Sequence, residues 1–377
     1  LSRDSADVLL SVKQISCGHI HWSQLWKQKI LHIDVIHFRQ PYVNLYNVRQ
    51  AAQYLPQQEK YTDTPTPAIP LSKIIIDEVS LSDGGLQVRS GTDKMAVSAN
   101  QLAAAIFDIE YNFTDSSLIY SDSLYLFTLS NLNFTSANGL FSIQCNNLNT
   151  RNSGPLTITD IRGGNTSQKN QYADLKGKVP VTWATFNISS ASTSDINLFQ
   201  IMKDRKVELQ SFSATINQAS IYRDNHYEAK DPYPMPQEAL SKIPIPVMIH
   251  SADIELKRML IELTLTGKSV GQLHLTNLKG KIGNITNKKS QTIRADISTF
   301  VETDGKAQVQ IALTNNKQCD FSLKANVQNT KGEAYDDFLK PLFGVEVKCD
   351  VSDIYMEYKG NRIKSQGTYR SEEHTSE

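Results

Sequence analysis

The sequence predicts a mainly β protein: an extended antiparallel sheet of consecutive hairpins, curled into a groove, with a few short helices. Three observations carry that prediction. Short runs in which apolar and polar residues alternate recur along the chain, the period of two that marks a strand with one buried face. Asn, Ser, Asp or Gly bounds nearly every run, as turn chemistry requires. Long segments with a helical repeat of apolar residues are missing, which argues against strands crossed over by helices.

From the start of the chain, Val8, Leu10 and Val12 alternate as a first strand that ends near Cys17-Gly18. Ser23 then caps a helical turn through Gln24-Leu25-Trp26-Lys27, which sets Trp22 and Trp26 four residues apart on one side, packed on the sheet. A strand follows with Leu31, Ile33 and Val35 on one face and His32, Asp34 and Ile36 on the other, interrupted by Pro41 before Tyr42 to Tyr46. Val48 to Leu55 is helix-compatible, and Pro56 to Pro70, rich in Gln, Thr and Pro, reads as a linker or long loop.

Beyond the linker, Ile75, Val79 and Leu81 share a phase, Asp83-Gly84-Gly85 makes a turn, and Leu86 and Val88 return as a hairpin. Short strands are expected at Met95 to Val97, Ala104 to Tyr111, Leu124 to Leu129 and Leu140 to Cys145. Gly163-Gly164-Asn165 is a loop rather than a phosphate cradle, because no lysine or strand-to-helix context follows it. Ser194 caps a helical turn around Asn197-Leu198-Phe199, and strands resume at Val207 to Phe212 and Ala219 to Tyr222. Arg223-Asp224 reads as a surface or turn salt bridge rather than a catalytic pair.

The clearest β pattern runs from Ile243 to Val327. Pro244 and Pro246 force an extended lead-in. Met259, Ile261, Leu263 and Leu265 then share one face, opposite Leu260, Glu262, Thr264 and Thr266. Gly267-Lys268 breaks the run, and Leu273, Leu275, Ile293, Ala295 and Ile297 continue it. Asp304-Gly305 is a hairpin dipeptide followed by Ala307, Val309, Ile311 and Leu313. Asn315-Asn316 turns the chain into Phe321, Leu323, Ala325 and Val327. Ala334 to Phe343 is a short amphipathic helix presenting Tyr335, Phe338, Leu339 and Leu342, after which Val345, Val347 and Cys349 alternate, then Ile354, Met356 and Tyr358, and a Lys359-Gly360-Asn361 turn. The greasy face of this sheet needs a cover: a second sheet, a helix or a bound apolar ligand.

This organisation divides the chain into an N-terminal strand-helix-strand start (1–55), the linker (56–70), a middle β region (71–240) and a C-terminal hairpin sheet (241–369). Residues 370–377, Arg-Ser-Glu-Glu-His-Thr-Ser-Glu, resemble a translated sequencing adapter and are set apart as an artefact. With no initiator methionine or signal peptide, Leu1 is expected to be internal to a longer protein.

Lys plus Arg and Asp plus Glu stand at 39 each, so no net field draws the chain to nucleic acid or an anionic surface. No run approaches the roughly 18 apolar residues of a membrane-spanning helix. Cys17, Cys145, Cys319 and Cys349 lack metal-ligand spacing; Cys319 and Cys349 can meet across neighbouring strands and pair where the compartment is oxidising, although isolated strand cysteines are commoner. His19, His21, His32 and His37 invite a metal reading, but no carboxylate or cysteine is placed beside them by spacing, so no metal and no cofactor is expected.

No nucleophile elbow, carboxylate pair or nucleotide loop is present, and a catalytic role is not expected. What remains is one-sided sheet. A strand of about seven residues spans roughly 23 Å, enough to lie along an acyl chain. At about 0.8 kcal/mol per methylene, a 16-carbon tail carries about 13 kcal/mol of burial that a carrier must nearly match. Met259, Ile261, Leu263, Leu265, Val309, Ile311, Leu313, Phe321 and Leu323 are the residues expected to line such a groove.

The segment Ile30 to Tyr46, a strand ending in Pro41-Tyr42 after a short helix, resembles the N-terminal signature of AsmA-like proteins. The run Ile243 to Asn287, with Gly271-Gln272-Leu273-His274-Leu275-Thr276-Asn277-Leu278 and Ile282-Gly283-Asn284-Ile285-Thr286-Asn287, is similar to the middle of the large AsmA-like proteins of Bacteroidota. That resemblance implies a non-enzymatic periplasmic body built as a repeating β-groove, held by an inner-membrane anchor outside this fragment. It also implies phospholipid or another acyl lipid as the partner, moved between the two membranes of a Gram-negative envelope in outer-membrane biogenesis. The alternative is an envelope assembly scaffold acting through protein contacts, its sheet closed by a second layer of its own.

Overall fold

Apolar and polar residues alternate within each strand, yet the strands are far longer than local turn signals suggest. The structure, a computed structural model, describes residues 8–46, 71–89, 95–121, 125–136, 139–169, 171, 181–226, 235–265, 269–302, 304–346 and 350–373. The protein is mainly β, with 71% of the described residues in strands and 11% in helices, and long runs of consecutive, mostly antiparallel strands. The chain forms two compact units, Leu1–Thr159 with Ile196–Gln200, and Asp160–Asp195 with Ile201–Glu377. Neither boundary coincides with the divisions at 55, 70 and 240 drawn from composition.

In the first unit, β1 (Val8–Cys17) and β2 (Ile30–Tyr46) are antiparallel and joined through helix α1 (Trp22–Gln28). β2 pairs in parallel with β3 (Lys73–Arg89), and β3 is antiparallel to β4 (Met95–Asn112). β4 pairs with the short β5 (Ser117–Ile119) and with β6 (Tyr125–Thr135), which pairs with β7 (Phe141–Arg151). β8 (Pro155–Asn165) carries the chain onward.

Several local expectations give way here. Pro41 does not stop β2: it is buried within the strand, opposite Val12, beside Gln40 at φ 52°. Asp83-Gly84-Gly85 is not a turn but a register shift inside β3, with Asp83 at φ 54°. The expected strands Met95–Val97 and Ala104–Tyr111 are parts of β4, which kinks at Gln101 (φ 56°). Gln40, Asp83, Gln101 and Asn131 (φ 51°) thus place left-handed residues in successive neighbours β2, β3, β4 and β6. Each bends its strand without ending it, which is how bulges let a sheet coil. Gly163-Gly164-Asn165 is strand rather than loop, Asn165 Oδ1 accepting from Ala184 N at 2.6 Å.

Around α1, His21 rather than Ser23 precedes the first turn, and only Leu25 is buried. Trp22 and Trp26 do not pack on the sheet; they are 57% and 63% exposed. The expected helix at 48–55 and the linker at 56–70 lie outside the described residues.

The second unit starts with β9 (Val181–Asp195), antiparallel to β10 (Val207–Asn225). Between them, helix α2 (Leu198–Asp204) is capped by Asn197, whose Oδ1 accepts from Gln200 N at 3.0 Å. Ser194 has another task, accepting from Gln210 N and Ser211 N. The expected strands 207–212 and 219–222 are one strand, and Arg223 and Asp224 do not form the expected salt bridge: Arg223 donates to Asn225 Oδ1 and Asp224 accepts from His226 N.

β10 runs parallel to β11 (Val247–Leu265), with helix α3 (Pro236–Ser241) in the connection. The antiparallel series β12 (Val270–Thr286), β13 (Thr292–Val301), β14 (Gly305–Thr314), β15 (Phe321–Lys331), β16 (Asp350–Gly360) and β17 (Ser365–Glu373) follows. Asn315-Asn316 falls between β14 and β15 as expected, whereas Gly305 already opens β14, and Lys359 and Gly360 close β16, whose turn begins at Asn361. A 3₁₀ turn (Gly332–Tyr335) and helix α4 (Asp336–Phe343) sit where the amphipathic helix is expected. Arg370 to Glu373, set apart above, extend β17 against β16. Cys349 lies outside the described residues; Cys17 and Cys319 are free thiols, and the Cys145 Sγ donates to Asn147 O at 3.3 Å.

One device keeps the apolar face continuous. Leu275 pairs with Val301 and Gly280 with Ile297, and β13 alternates without a break, so Leu275 and Gly280 share a face although an odd interval separates them. Asn277 at φ 51° absorbs the extra residue. The same interval recurs in the neighbours: Met259 and Ile254 in β11, Ala219 and Ala214 in β10, Phe186 and Ala191 in β9. The kink therefore crosses four strands. Asn277→Val is expected to lower stability by about 1–2 kcal/mol, since a β-branched residue resists positive φ, while Asn277→Gly is tolerated; urea unfolding midpoints of the two variants report the difference.

Candidate functional site

The face kept in phase by this kink is the candidate site. Strand pairing fixes its rows, because residues directly opposite one another share a face. Leu313 stands opposite Phe321, Ile311 opposite Leu323, and Val309 opposite Ala325. Met259 connects to this group through Leu275 and Val301, and Ile261 lies opposite Leu273. All the residues expected to line a groove therefore lie on one face, a band about 45 Å long at roughly 3.3 Å per residue. Leu263 and Leu265 extend past the end of β13, with Leu263 opposite Gly271.

Each of Met259, Ile261, Leu263, Leu265, Val309, Ile311, Leu313, Phe321 and Leu323 is partly exposed, and none is sealed. Helices cover parts of the face. α4 rests on β11 and β12, and Leu342, 1% exposed, occupies the space above Gly271, where a Cβ would stand 2.7 Å from its Cγ and Cδ1. Tyr335 packs with Leu273, Leu275 and Ile354 on the buried cluster Val301, Ala307 and Val327. Burial lifts the Tyr335 phenol above its ordinary pKa, against the opposing pull of its hydrogen bond to Thr330. α3 lies against β14, and its Glu238 pairs with Arg362 at 2.8 Å.

A depression of about 670 Å³ is lined by the rows Asp253–Lys281–Asp296–Gln310–Lys324 and Glu255–Lys279–Ser298–Gln308–Asn326 and by the row between them that includes Val309. Two others, about 500 and 320 Å³, repeat this arrangement around Phe321 and Ile311. Around the first of them the flanking apolar residues Ala252, Leu256, Ile311 and Leu323 contribute no lining while the polar residues on both sides of Val309 do, which places it on the polar side of the sheet. On the apolar side the nine named residues are partly exposed, while Val301, Ala307, Ala325 and Val327 are buried. On the polar side, Lys359 and Lys324 hold the Glu357 carboxyl below the usual range, with a hydrogen bond from Lys359 as the largest cause.

That polar side also holds a residue that sequence reasoning placed but did not single out. Glu262 is 5% exposed, paired with Lys169 and accepting from Gln272 Nε2 at 3.1 Å. The Lys169 ammonium lies 5.2 Å from the Tyr222 ring centre and 5.7 Å from that of Trp183. Only the position of the segment around Lys169 buries this carboxylate; alternation puts Glu262 on the polar side and says no more.

Among the described residues no helix is long and apolar enough to cross a membrane. Comparison with family models, curated proteins and solved structures gives no match to this chain.

Proposed function

We propose that this chain binds acyl lipid along the apolar wall of its second unit, as part of a non-enzymatic AsmA-like protein that conducts phospholipid across the periplasm. The observation that carries this reading is the in-phase apolar face from Leu313 to Leu265, whose nine named residues are partly exposed on either side of the cluster that Tyr335 covers at Val301. A face meant only for folding is sealed by a second layer. An acyl chain laid along the strands meets successive apolar rows, each methylene contributing about 0.8 kcal/mol. The inner-membrane anchor and the partner lipid are part of the proposal.

A second reading, an envelope scaffold working through protein contacts, is supported by β1, where Leu9, Leu10 and Ile15 are 56%, 64% and 63% exposed. Benzoyl-phenylalanine placed at Ile311 separates the two. Ultraviolet illumination in an envelope extract is expected to attach phospholipid at position 311 and not at position 310, whose side chain points to the opposite face. Protein adducts alone at 311 favour the scaffold.

A further inference from the structure

The end of the first hairpin brings together residues with the chemistry of a metal site. Asp34 N donates to His19 O at 3.0 Å and His21 N to His32 O at 3.0 Å, with Ile20 bridged to Ile33 between them. Alternation therefore sets His19, His21, His32 and Asp34 on one face, with Ile33, 8% exposed, pointing to the other. A His-x-His segment lies opposite a His-x-Asp segment. Parallel pairing of β2 with β3 adds Asp77 beside this group. The absence of a carboxylate near the histidines, inferred from spacing, is thus corrected: Asp34 shares a face with His32 on β2 and meets His21 by strand pairing, and Asp77 arrives from β3.

The contacts are close. His21 Nε2 and Asp34 Oδ1 are 2.6 Å apart, and His32 Nε2 lies 2.9 Å from Asp77 Oδ1 while its Nδ1 lies 3.2 Å from Gln24 Oε1. The His21 ring stacks on His32 at 4.2 Å between centroids and meets His19 edge-on at 4.8 Å. Ligand atoms of His21, His32 and Asp34 all lie within 4.8 Å of one another.

We propose that His21, His32 and Asp34 bind a borderline first-row divalent cation, with Zn²⁺ as the type case and His19 as the fourth ligand. In a tetrahedral site with bonds of about 2.0–2.2 Å, ligand atoms stand roughly 3.4 Å apart. The observed spread closes to that value as the His21 ring turns about χ2 off its stack on His32, whose bond to Asp77 is kept; the hairpin backbone stays in place. The cation takes over the bridge between His21 Nε2 and Asp34 Oδ1. Asp77, accepting from His32 Nε2–H, fixes the tautomer that leaves Nδ1 free to ligate, and Gln24 yields that position. A mixed imidazole and carboxylate set suits zinc, cobalt, nickel or copper and not the hard cations magnesium and calcium, which take oxygen ligands. The bound ion ties the α1 hairpin together and raises the melting temperature of the first unit.

Titration of the full chain with Zn²⁺ by calorimetry, and with Co²⁺ by visible absorption, tests this. One cation per chain is expected, uncontested by excess Mg²⁺, and His21→Ala, His32→Ala and Asp34→Asn each weaken binding at least ten-fold. His19→Ala changes the Co²⁺ spectrum. His37→Ala leaves binding unchanged, because that ring is held by Ser80 and Ser82 at 3.0 Å on each nitrogen. His21→Gln, which keeps a polar group of similar reach, separates loss of a ligand from loss of fold when its circular dichroism matches the parent. Failure of the parent chain to bind stoichiometrically, or equal binding by folded His21→Gln and Asp34→Asn variants, overturns the proposal.

Discussion

Ile311→Asp is expected to empty the apolar wall: lipid retained through purification and counted by native mass spectrometry falls at least ten-fold. Ile311 stands near the Leu313 end of the band, opposite Ala295 and Leu323, and partly exposed, so a carboxylate there meets a tail that lies along that end. Desolvating that charge costs several kcal/mol, more than the few methylenes nearest it contribute. The chain still folds, because the position is reached by water. Gln308→Asp, an exposed position on the opposite face, is the control and retains its lipid. Equal retention by both variants removes the lipid reading.

The second large effect is on stability. Lys169→Ala leaves the Glu262 carboxylate, 6% exposed at its side chain, without its countercharge, while the lysine itself is 37% exposed. Breaking a buried pair by removing one partner costs about 3–5 kcal/mol, and the lysine's exposure reduces this to about 2–3 kcal/mol. Urea unfolding is the measurement. The double substitution Lys169→Met with Glu262→Leu is expected to recover most of the loss, since it leaves no buried charge behind. A double variant as unstable as Lys169→Ala shows that packing on Trp183 and Tyr222, not charge, holds this corner.

Much of the β architecture is legible in the chain because a period of two is a local property. Ala307, Val309, Ile311 and Leu313 facing Phe321, Leu323, Ala325 and Val327 follow from alternation and one Asn-Asn turn, and the structure pairs them in that register. Strand length is not local. Asp83-Gly84-Gly85 and Gln40-Pro41 carry the residues of a turn and a stop, yet the first becomes a register shift and the second a positive-φ kink within strands that continue, an outcome the neighbouring strands decide. Trp22 and Trp26 follow the same rule: helical spacing groups them, and the docking of α1 through Leu25 leaves them in water.

The face that would meet a lipid is therefore written in the residues, from Met259 to Leu323, because each needs only its neighbours two positions away. The long-range partners are not. Asp77 reaches His32 from 45 positions along the chain and Lys169 reaches Glu262 from 93. Such pairs exist only once strands have chosen their neighbours, and that choice rests on hydrogen bonds between backbones, which carry no side-chain signature.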